Sequence, residues 1–311
     1  MIKSDKLEKI CLKYNAAFCK DEVLAPYTTF KIGGTCDIFI KINSRECLRD
    51  IVLCCKNGNI PCRVIGRGSN ILIGDEGVKG AVLLLGGDFA AVSTDSKDNV
   101  IFCDAGASLT SLCLAARDNS LTGLEFAYGI PGSVGGAVYM NAGAYDGEIS
   151  QVIRSCEYLD ADGSIKKLNC FNNPEFSHRK SPFTCKPTAA ISSKKIILSA
   201  EFALTLGKQA QINAKMEEFM KRRKDKQPLE FPSAGSTFKR PGGDYASRLV
   251  DICGLKGLSV GGAQVSKKHA GFIINKGNAT CKDVLELIEI VRARVLRETG
   301  INLEREVEIL K

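Results

Sequence analysis

The chain has 311 residues, of which 44% are hydrophobic, so it can bury the cores of two or three ordinary domains. It has no uninterrupted apolar run of about 20 residues and no export signal in its first 20 residues, so we expect no membrane-spanning segment. The formal charge of +8 is spread along the chain, which argues against a nucleic-acid-binding protein.

Fourteen cysteines are present, but none has the Cys-x-x-Cys spacing. Cys103, Cys113 and Cys156 lie in segments where a reduced thiol packs like a small hydrophobic side chain. Only two histidines, His178 and His269, accompany them, so the sequence predicts no metal site. We therefore expect a cytoplasmic protein with reduced thiols.

Apolar residues at helical spacing predict an amphipathic helix over 4–18. A strand over 36–42, a helix capped by Ser44 and a strand over 61–65 follow as a β-α-β unit. This unit presents a compact loop at 66–70, Gly-Arg-Gly-Ser-Asn.

Strands over 80–85 and 100–103 and a helix over 109–119 lead to a glycine-rich stretch at 129–147, in which six of nineteen residues are glycine. Glycine lets a backbone approach a ligand and adopt the positive φ angles that a cradle of N–H groups needs. The spacing matches neither a Rossmann turn nor a P-loop. A structural turn is the alternative, but the second loop at 66–70 favours one long ligand held at two points. We interpret the stretch as a diphosphate cradle, a loop that feeds directly into a buried segment.

A hairpin over 152–168, turning at Asp162-Gly163, and a strand over 195–204 complete the second part of the chain. A helix over 208–226 ends at Gln227-Pro228. Its basic run at 221–224 is interpreted as the solvated face of a helix end, because Met216 and Phe219 recur at helical spacing.

The last part is predicted to contain a helix over 247–253, a strand over 271–275, a helix over 280–298 with caps Thr280 and Gly300, and a strand over 307–310.

Six segments resemble the UDP-N-acetylenolpyruvoylglucosamine reductase family, in the family's order and from about residue 24 to residue 311. They are YTTFKIGG at 27–34, GRGSN at 66–70, GIPGSVGGAVYMNAG at 129–143, SAGSTFK at 233–239, GGAQVS at 261–266 and LEREV at 303–307. The resemblance implies an α+β fold with a two-lobed PCMH-type FAD-binding region followed by an α/β substrate-binding domain. The expected parts are lobe 1 at 1–80, lobe 2 at 81–205, the substrate-binding domain at 206–300 and a C-terminal strand at 301–311.

The resemblance implies FAD as cofactor and NADPH as its reductant, in the reduction of UDP-N-acetylglucosamine enolpyruvate to UDP-N-acetylmuramate for peptidoglycan. The expected cofactor-binding residues are Gly66, Arg67, Gly68, Ser69, Asn70, Gly129, Ile130, Pro131, Gly132, Val134, Gly135, Asn141, Ala142 and Gly143. The alternative enzyme is another PCMH-type flavin oxidoreductase acting on a different sugar or alcohol. A non-catalytic nucleotide-sugar or nucleic-acid binding protein is the alternative from another class.

The resemblance assigns catalysis to three residues. Ser236 is the expected general acid, although a lone serine in a glycine-rich turn is more often a cap. Arg179 is expected to stabilise an enolate-like charge; it follows His178, where the family commonly has tyrosine. Glu306 is the expected carboxylate, with Glu304 as the alternative on the same strand face.

Four residues are expected to bind the substrate: Lys226, Lys239, Gln264 and Ser266. The two lysines suit the UDP diphosphate, and two solvated lysines are the alternative. His269 is interpreted as a structural histidine, with substrate binding as the alternative. Residues 148–174 hold only a short hairpin, so the chain resembles the family branch that lacks a tyrosine-bearing loop over the substrate.

Overall fold

The computed structural model describes residues 3–95, 97–184 and 195–311. The chain forms two compact units, both discontinuous in sequence. Unit 1 contains residues 1–21, 37–66 and 80–221, and unit 2 contains residues 22–36, 67–79 and 222–311. The expected division into domains after residues 80, 205 and 300 stays a prediction.

The described residues contain both helices and strands, with several runs of consecutive strands. The helices are α1 (Lys3–Lys13), α2 (Arg45–Asn57), α3 (Leu109–Asp118), α4 (Val134–Tyr139), α5 (Gln209–Lys226), α6 (Ala246–Ile252) and α7 (Cys281–Thr299). The strands are β1 (Ala17–Val23), β2 (Thr35–Ile42), β3 (Cys62–Ile65), β4 (Ile71–Ile73), β5 (Val78–Leu85), β6 (Val92–Asp95), β7 (Val100–Asp104), β8 (Leu121–Thr122), β9 (Gly143–Ala144), β10 (Gly147–Glu148), β11 (Ile153–Leu159), β12 (Ile165–Asn169), β13 (Ile196–Ala203), β14 (Thr205–Leu206), β15 (Ser233–Ser236), β16 (Ser259–Val260), β17 (Ala263–Val265), β18 (Phe272–Asn275) and β19 (Glu308–Leu310). Most predicted elements are confirmed to within one or two residues.

The first helix is shorter than predicted. Helix α1 ends at Lys13, and Phe18 lies in β1 instead of continuing the helix. Asn15 adopts a left-handed conformation with φ of 52°, and the N–H of Ala16 donates to the carbonyl of Cys11, which closes the helix. Tyr14 and Phe18 are spaced as if on one helix, but Tyr14 follows the end of α1 and Phe18 lies in β1. Both side chains pack against the same core.

The first sheet of unit 1 has the order β1-β2-β5-β3, with β3 and β5 parallel. The Ser44 side chain accepts the N–H of Cys47, which confirms the predicted cap of α2. Helix α2 buries one apolar stripe against this core: Cys47, Leu48, Ile51, Val52 and Cys55. The β-α-β unit is present, and β5 lies between its two strands.

The second sheet of unit 1 has the order β12-β11-β13-β7-β6, and each neighbouring pair of strands is antiparallel. Helix α3 packs on it through Leu109, Leu112, Cys113 and Ala116. The glycine-rich stretch is fixed to the end of β7, because the N–H groups of Val134 and Gly135 donate to the carbonyls of Ala107 and Ala105. Helix α4, which begins at Val134 inside this stretch, was not predicted.

The thirteen described cysteines are free thiols, and most of them are buried. Cys103, Cys113 and Cys156 are each about 1% exposed, as their apolar surroundings predicted. Burial raises the pKa of both Cys103 and Cys113 to about 12. These thiols are therefore protonated and unreactive at neutral pH.

Unit 2 contains the antiparallel sheet β15-β18-β17-β16, whose core is shared with α6 and α7. The predicted caps of α7 are confirmed: Thr280 accepts the N–H of Asp283, and Gly300 is left-handed with φ of 73°. The final strand β19 pairs in parallel with β4, which places the C-terminal segment beside the strand that follows the 66–70 loop.

The basic run near the end of α5 differs from the prediction at one position. Lys221, Arg222 and Lys224 are exposed, whereas Arg223 is only 7% exposed. Its Nη1 donates to the side-chain oxygen of Gln227 at 3.1 Å.

Among the residues that the structure describes, no helix is long and apolar enough to cross a membrane, and no group of three or more His, Cys, Asp or Glu side chains is arranged to hold a metal ion.

Asp75 holds the N-terminus of α7 from another segment of unit 2, because its carboxylate accepts the N–H groups of Cys281 at 2.7 Å and Lys282 at 2.9 Å. We expect Asp75→Ala to lower the free energy of unfolding by about 1 kcal/mol, since two helix N–H groups lose their acceptor. Asp75→Asn keeps one acceptor oxygen and is expected to lose less. Urea unfolding measures both, and Glu76→Ala, an exposed neighbour, is the control. Equal stability of Asp75→Ala and Glu76→Ala would contradict the capping role.

Candidate active site

The loop at 66–70 connects β3 to β4 and depends on glycine at its centre. Gly68 has φ of +62°, and a Cβ there would lie 2.4 Å from the carbonyl oxygen of Tyr27. The Gly68 carbonyl accepts the N–H of Thr29 at 3.3 Å. Within the described residues, the four consecutive N–H groups from Gly66 to Ser69 donate to no protein acceptor. Successive free N–H groups in a turn form a site for an anion.

The glycine-rich stretch meets this loop at Gly66. A Cβ at residue 66 would lie 2.3 Å from Oγ of Ser133, so the absence of a side chain lets the two loops lie together in unit 1. The same Oγ accepts the N–H of Gly136 at 3.3 Å and caps α4. Each loop has few side chains, and in the described residues the N–H groups of the 66–70 loop have no protein acceptor, which suits the diphosphate of a dinucleotide such as FAD.

Three of the expected cofactor-binding residues also have structural roles of their own. A Cβ at Gly135 would lie 2.9 Å from Cβ of Ala105, and one at Gly143 would lie 2.6 Å from the Gly147 carbonyl oxygen. Asn141 is fully buried and donates to the Ser177 carbonyl at 3.1 Å. Their contact with a cofactor stays a prediction.

The other expected cofactor-binding residues differ in exposure. Arg67 and Pro131 are exposed, Gly132 and Val134 are buried, and Ser69, Asn70, Gly129, Ile130 and Ala142 are half-buried.

Arg179 lies against the cradle. Its Nη2 donates to the Gly143 carbonyl at 3.3 Å, and its backbone is left-handed, with φ of 60°. The loop around it is held by Asn141, which donates to Ser177, and by Ser181, whose hydroxyl donates to the Tyr139 carbonyl at 2.7 Å. Unit 1 thus brings Arg179 together with the expected cofactor-binding residues Asn141 and Gly143.

Ser236 occupies an irregular position at the end of β15. The register shifts between Ser233 and Ser236, and Gly235 has φ of +75°, so the strand bulges and re-aims its side chains. The next residue, Thr237, is buried, and its Oγ1 accepts the N–H of Ile273 at 3.1 Å. The Ser236 hydroxyl is half-buried and has no hydrogen-bond partner among the described residues. It is therefore available to a ligand.

Glu306 is held by two of its neighbours in unit 2. Its N–H donates to the Thr237 carbonyl at 2.8 Å, and its carbonyl accepts the side-chain N–H of Asn70 at 3.1 Å. Glu306 therefore lies beside the residue that follows Ser236 and beside the end of the 66–70 loop. Unit 2 thus brings together three of the expected site residues, Asn70, Ser236 and Glu306.

Glu304 has a different environment from Glu306. Its carboxylate forms an ion pair with Nζ of Lys239 at 3.1 Å, and its side chain is 72% exposed. The Lys239 N–H also donates to the Glu304 carbonyl at 2.8 Å. These contacts identify Glu304 as a surface partner of Lys239. The catalytic role of Glu306 stays a prediction.

The remaining expected substrate-binding residues do not form one cluster of free groups. Lys226 is exposed at the end of α5. The Gln264 amide donates to Oγ of Ser259 at 2.8 Å. Ser266 is 1% exposed, and its Oγ accepts the N–H groups of Lys268 and His269 at 3.1 and 3.2 Å. The side chains of Gln264 and Ser266 thus make hydrogen bonds within their own segment. Their role in substrate binding stays a prediction.

Two residues of the site were missed from sequence. Ser133 lies against Gly66 and caps α4. Thr29 joins the Gly68 loop to β15, because its Oγ1 donates to the Ser233 carbonyl at 2.7 Å while its N–H donates to Gly68. A serine three residues before a potential helix N–H is a detectable cap signal, but Thr29 has no signal of its own, since its partner lies 204 positions away.

Two family models match parts of the chain, and curated proteins are similar to most of it. Residues 36–169 match the model of FAD binding domains, and residues 227–310 match that of the C-terminal domain of UDP-N-acetylenolpyruvoylglucosamine reductase. The chain is 46% identical over 285 residues to the UDP-N-acetylenolpyruvoylglucosamine reductase of Clostridium novyi, covering 91% of this chain and 89% of the relative. It is 44% identical over 290 residues to that of Syntrophomonas wolfei, covering 93% and 94%.

A solved structure is also similar. The crystal structure of UDP-N-acetylenolpyruvylglucosamine reductase from Thermus caldophilus superposes with a TM-score of 0.78 at 36% identity, covering 95% of this chain and 99% of that one. The expected fold, a PCMH-type FAD-binding region followed by an α/β domain, is confirmed. The chain therefore belongs to the UDP-N-acetylenolpyruvoylglucosamine reductase family.

Proposed function

We propose that this chain is an NADPH-dependent flavoenzyme that reduces UDP-N-acetylglucosamine enolpyruvate to UDP-N-acetylmuramate. Similarity along nearly the whole chain supports the reaction. The observation that carries the proposal is the meeting of Asn70, Thr237 and Glu306: the Glu306 N–H donates to the Thr237 carbonyl, and the Asn70 side-chain amide donates to the Glu306 carbonyl. It sets the expected acid Ser236 and the expected carboxylate Glu306 beside the end of a loop suited to the cofactor.

FAD would be held by the loop at 66–70 and the stretch at 129–143. The free N–H groups from Gly66 to Ser69 suit its diphosphate. When bound, FAD supplies the hydride that is added to the methylene carbon of the enolpyruvyl group, and NADPH supplies the two electrons beforehand. The protein is left with two tasks, which are to position the substrate and to manage one proton and one developing negative charge.

Ser236 is assigned to the proton. Addition of hydride to the methylene carbon leaves the adjacent carbon to accept a proton, and the Ser236 hydroxyl would donate it. Its hydroxyl has no competing partner among the described residues, and its neighbours Gly235 and Thr237 fix its place on the bulge. General acid catalysis of this kind contributes about 10²–10⁴-fold to a rate.

Arg179 and Glu306 are assigned to the enolpyruvyl carboxylate. A guanidinium is a planar, permanently charged donor and suits a carboxylate whose negative charge grows during reaction. The contact of Arg179 with Gly143 restricts its side chain before any substrate binds. Hydrogen bonds to the N–H and to the carbonyl of Glu306 restrict the backbone of the segment that carries its carboxylate.

The biological setting is part of the same proposal. The product is a precursor of peptidoglycan, so we place the enzyme in the cytoplasm and in cell-wall synthesis, and through that in cell shape and division.

An absorbance spectrum tests the proposal first. We expect the purified protein to be yellow, to bleach with NADPH, and to regain its colour when the enolpyruvyl sugar nucleotide is added. A colourless protein that cannot be reconstituted with FAD would contradict a flavoenzyme. A protein that bleaches but recovers only with another sugar or alcohol would indicate a different flavin oxidoreductase.

Gly68→Ala tests the cradle. The substitution puts a Cβ against the Tyr27 carbonyl in a left-handed conformation, which costs about 1–2 kcal/mol in backbone strain alone. We expect FAD affinity to fall by about tenfold or more, measured by flavin content and by titration of apoprotein. Gly242→Ala is the matched control, since a Cβ there meets no atom within 4 Å. Wild-type FAD affinity in Gly68→Ala would remove this loop from the cofactor site.

Ser236→Ala tests the acid. We expect flavin reduction by NADPH to persist and reoxidation by the enolpyruvyl sugar nucleotide to slow by about 10²–10⁴-fold, measured by stopped-flow absorbance. Ser233→Ala, in the same strand, is the control and should leave both half-reactions unchanged. Reoxidation within a few-fold of wild type would assign the acid to another residue, whereas loss of both half-reactions would indicate lost folding or flavin.

A further inference from the structure

Thr29 links two parts of the candidate site within unit 2. Its N–H donates to the carbonyl of Gly68, at the centre of the 66–70 loop, at 3.3 Å. Its hydroxyl donates to the carbonyl of Ser233, the first residue of β15, at 2.7 Å. The Thr29 carbonyl in turn accepts the N–H of Ser233 at 3.2 Å. One residue therefore contacts both the loop suited to the cofactor and the strand that carries the expected acid Ser236.

The hydroxyl of Thr29 contributes to this link separately from the backbone. Its Oγ1 lies 2.7 Å from the carbonyl oxygen of Ser233 and 3.4 Å from that of Gly68. A hydroxyl has a single proton to donate, so it donates to the nearer acceptor, Ser233, and lies beside the other. Valine has a similar branched shape without the hydroxyl. A single substitution can therefore remove this hydrogen bond while the backbone contacts of residue 29 remain.

The segment from Ser233 to Ser236 is a bulge. Its register against β18 shifts between these two residues, and Gly235 is left-handed with φ of +75°. A bulge leaves residues unpaired with the neighbouring strand and bends the strand that contains it. The direction of the Ser236 side chain therefore depends on how the residues at the two ends of the bulge, Ser233 and Thr237, are held.

Different contacts hold the two ends of this bulge. At one end, the Thr237 carbonyl accepts the N–H of Glu306 at 2.8 Å. At the other end, Ser233 makes its two hydrogen bonds with Thr29 and pairs with β18. The expected acid thus lies between an end tied to the C-terminal segment and an end tied through Thr29 to the 66–70 loop. Loss of the second tie lets the bulge move relative to that loop.

The proposed reaction makes this separation important. The hydride and the proton go to adjacent carbons of one substrate. The hydride comes from the cofactor, which the 66–70 loop would hold in part, and the proton comes from Ser236. A misplacement of about 1 Å can cost about 10²-fold in rate. The loop and β15 must therefore keep a fixed separation during the second half-reaction.

We propose that Thr29 is a positioning residue for the expected general acid. Its hydroxyl holds the start of β15 against the 66–70 loop and thereby sets the place of Ser236 relative to the bound cofactor. This inference rests on the proposed function. It goes beyond that function by giving a role in the reaction to a residue outside the expected catalytic set of Arg179, Ser236 and Glu306.

Two substitutions of Thr29 separate the hydroxyl from the rest of the side chain. Thr29→Val removes the hydroxyl, and we expect it to slow reoxidation by the enolpyruvyl sugar nucleotide by about tenfold. Its flavin content and its rate of reduction by NADPH should stay within about threefold of wild type, because reduction does not use Ser236. Thr29→Ser keeps the hydroxyl and should stay within about threefold of wild type in both half-reactions. Stopped-flow absorbance of the holoenzyme measures each rate.

Thr299→Val is the matched control. The Thr299 hydroxyl donates to the Val295 carbonyl at 2.8 Å, at the end of α7 in the same unit. This variant loses the same kind of hydrogen bond away from the site, so both of its half-reactions should equal those of wild type. Thermal midpoints, measured for all three variants, show that they are folded.

Three results would each overturn the proposal. If Thr29→Val slows both half-reactions equally or loses its flavin, the hydroxyl supports the fold or the cofactor and not the acid. If Thr29→Ser is as slow as Thr29→Val, the hydroxyl is not the group that matters. If Thr29→Val is reoxidised like wild type, the hydrogen bond to Ser233 has no role in this step.

A double-mutant cycle tests whether Thr29 acts through Ser236. In a Ser236→Ala background, Thr29→Val should slow reoxidation by no more than about twofold further, because two residues that act through one group have non-additive effects. A full additional loss of about tenfold would show that the two residues act independently, and the proposal would be wrong.

Proton transfer offers a signature that a merely structural role would not change. We expect the ratio of reoxidation rates in H2O and D2O to be larger for Thr29→Val than for wild type or Thr29→Ser, because a misplaced acid slows the proton transfer relative to the other steps. The same ratio in all three proteins would contradict the role of Thr29. If the wild-type enzyme is reoxidised by the enolpyruvyl sugar nucleotide while these tests fail, only this role is wrong; if it is not reoxidised, the proposed function itself fails.

Discussion

The C-terminal segment of unit 2 depends on a short chain of three hydrogen bonds. The Glu306 N–H donates to the Thr237 carbonyl, the Asn70 side-chain amide donates to the Glu306 carbonyl, and the Glu308 N–H donates to the Asn70 carbonyl at 2.9 Å. These contacts join three segments that are far apart in sequence, and β19 then continues alongside β4. Main-chain atoms and one side chain, that of Asn70, thus hold the segments of Thr237 and Glu306 beside the end of the 66–70 loop.

The loop at 66–70 differs from this segment, because open space and N–H groups without a described protein acceptor matter more there than contacts between residues. Buried N–H groups normally find an acceptor, because an unpaired one costs about 1–3 kcal/mol. In the described part of the chain, the four N–H groups from Gly66 to Ser69 have no protein acceptor, which is tolerated only where solvent or a ligand supplies one. The close approaches of Gly68 to Tyr27 and of Gly66 to Ser133 show why side chains are absent there.

Sequence patterns predicted the long elements of this fold well, because periodicity and caps are local. Helix α7, with Thr280 and Gly300 at its ends, is an example. The failures were positions where local signals conflict or where the partner is remote. Helix α4 contains Gly135 and Gly136 among its six residues, and glycine disfavours a helix by about 1 kcal/mol, so only its anchoring to the end of β7 reveals it. Asp75 and Thr29 act on segments about 200 positions away, which no local pattern encodes.

The same difference between local signals and remote partners applies to the candidate site. The glycine loops and the segments around Ser236 and Glu306 could be found from sequence because they resemble a known family. The sequence could not predict which side chains already have hydrogen-bond or ion-pair partners, because those partners come from other segments or from the local fold. The Glu304 carboxylate pairs with Lys239, and the Ser266 hydroxyl accepts two backbone N–H groups. The Ser236 hydroxyl has no hydrogen-bond partner among the described residues.

The pairing of β19 with β4 also orders events during synthesis. Residues 71–73 leave the ribosome more than two hundred residues before 308–310, their partners in the parallel pair. Contacts of such long sequence separation form late, because closing so large a loop must precede any gain from the contact. The nascent chain therefore carries an unfinished edge at β4 for most of its translation, and the neighbouring loop reaches its final shape only when the last strand arrives. Any binding that requires the final shape of this loop therefore follows the synthesis of residues 308–310, and the unpaired edge in the meantime is a place where chaperones have reason to bind.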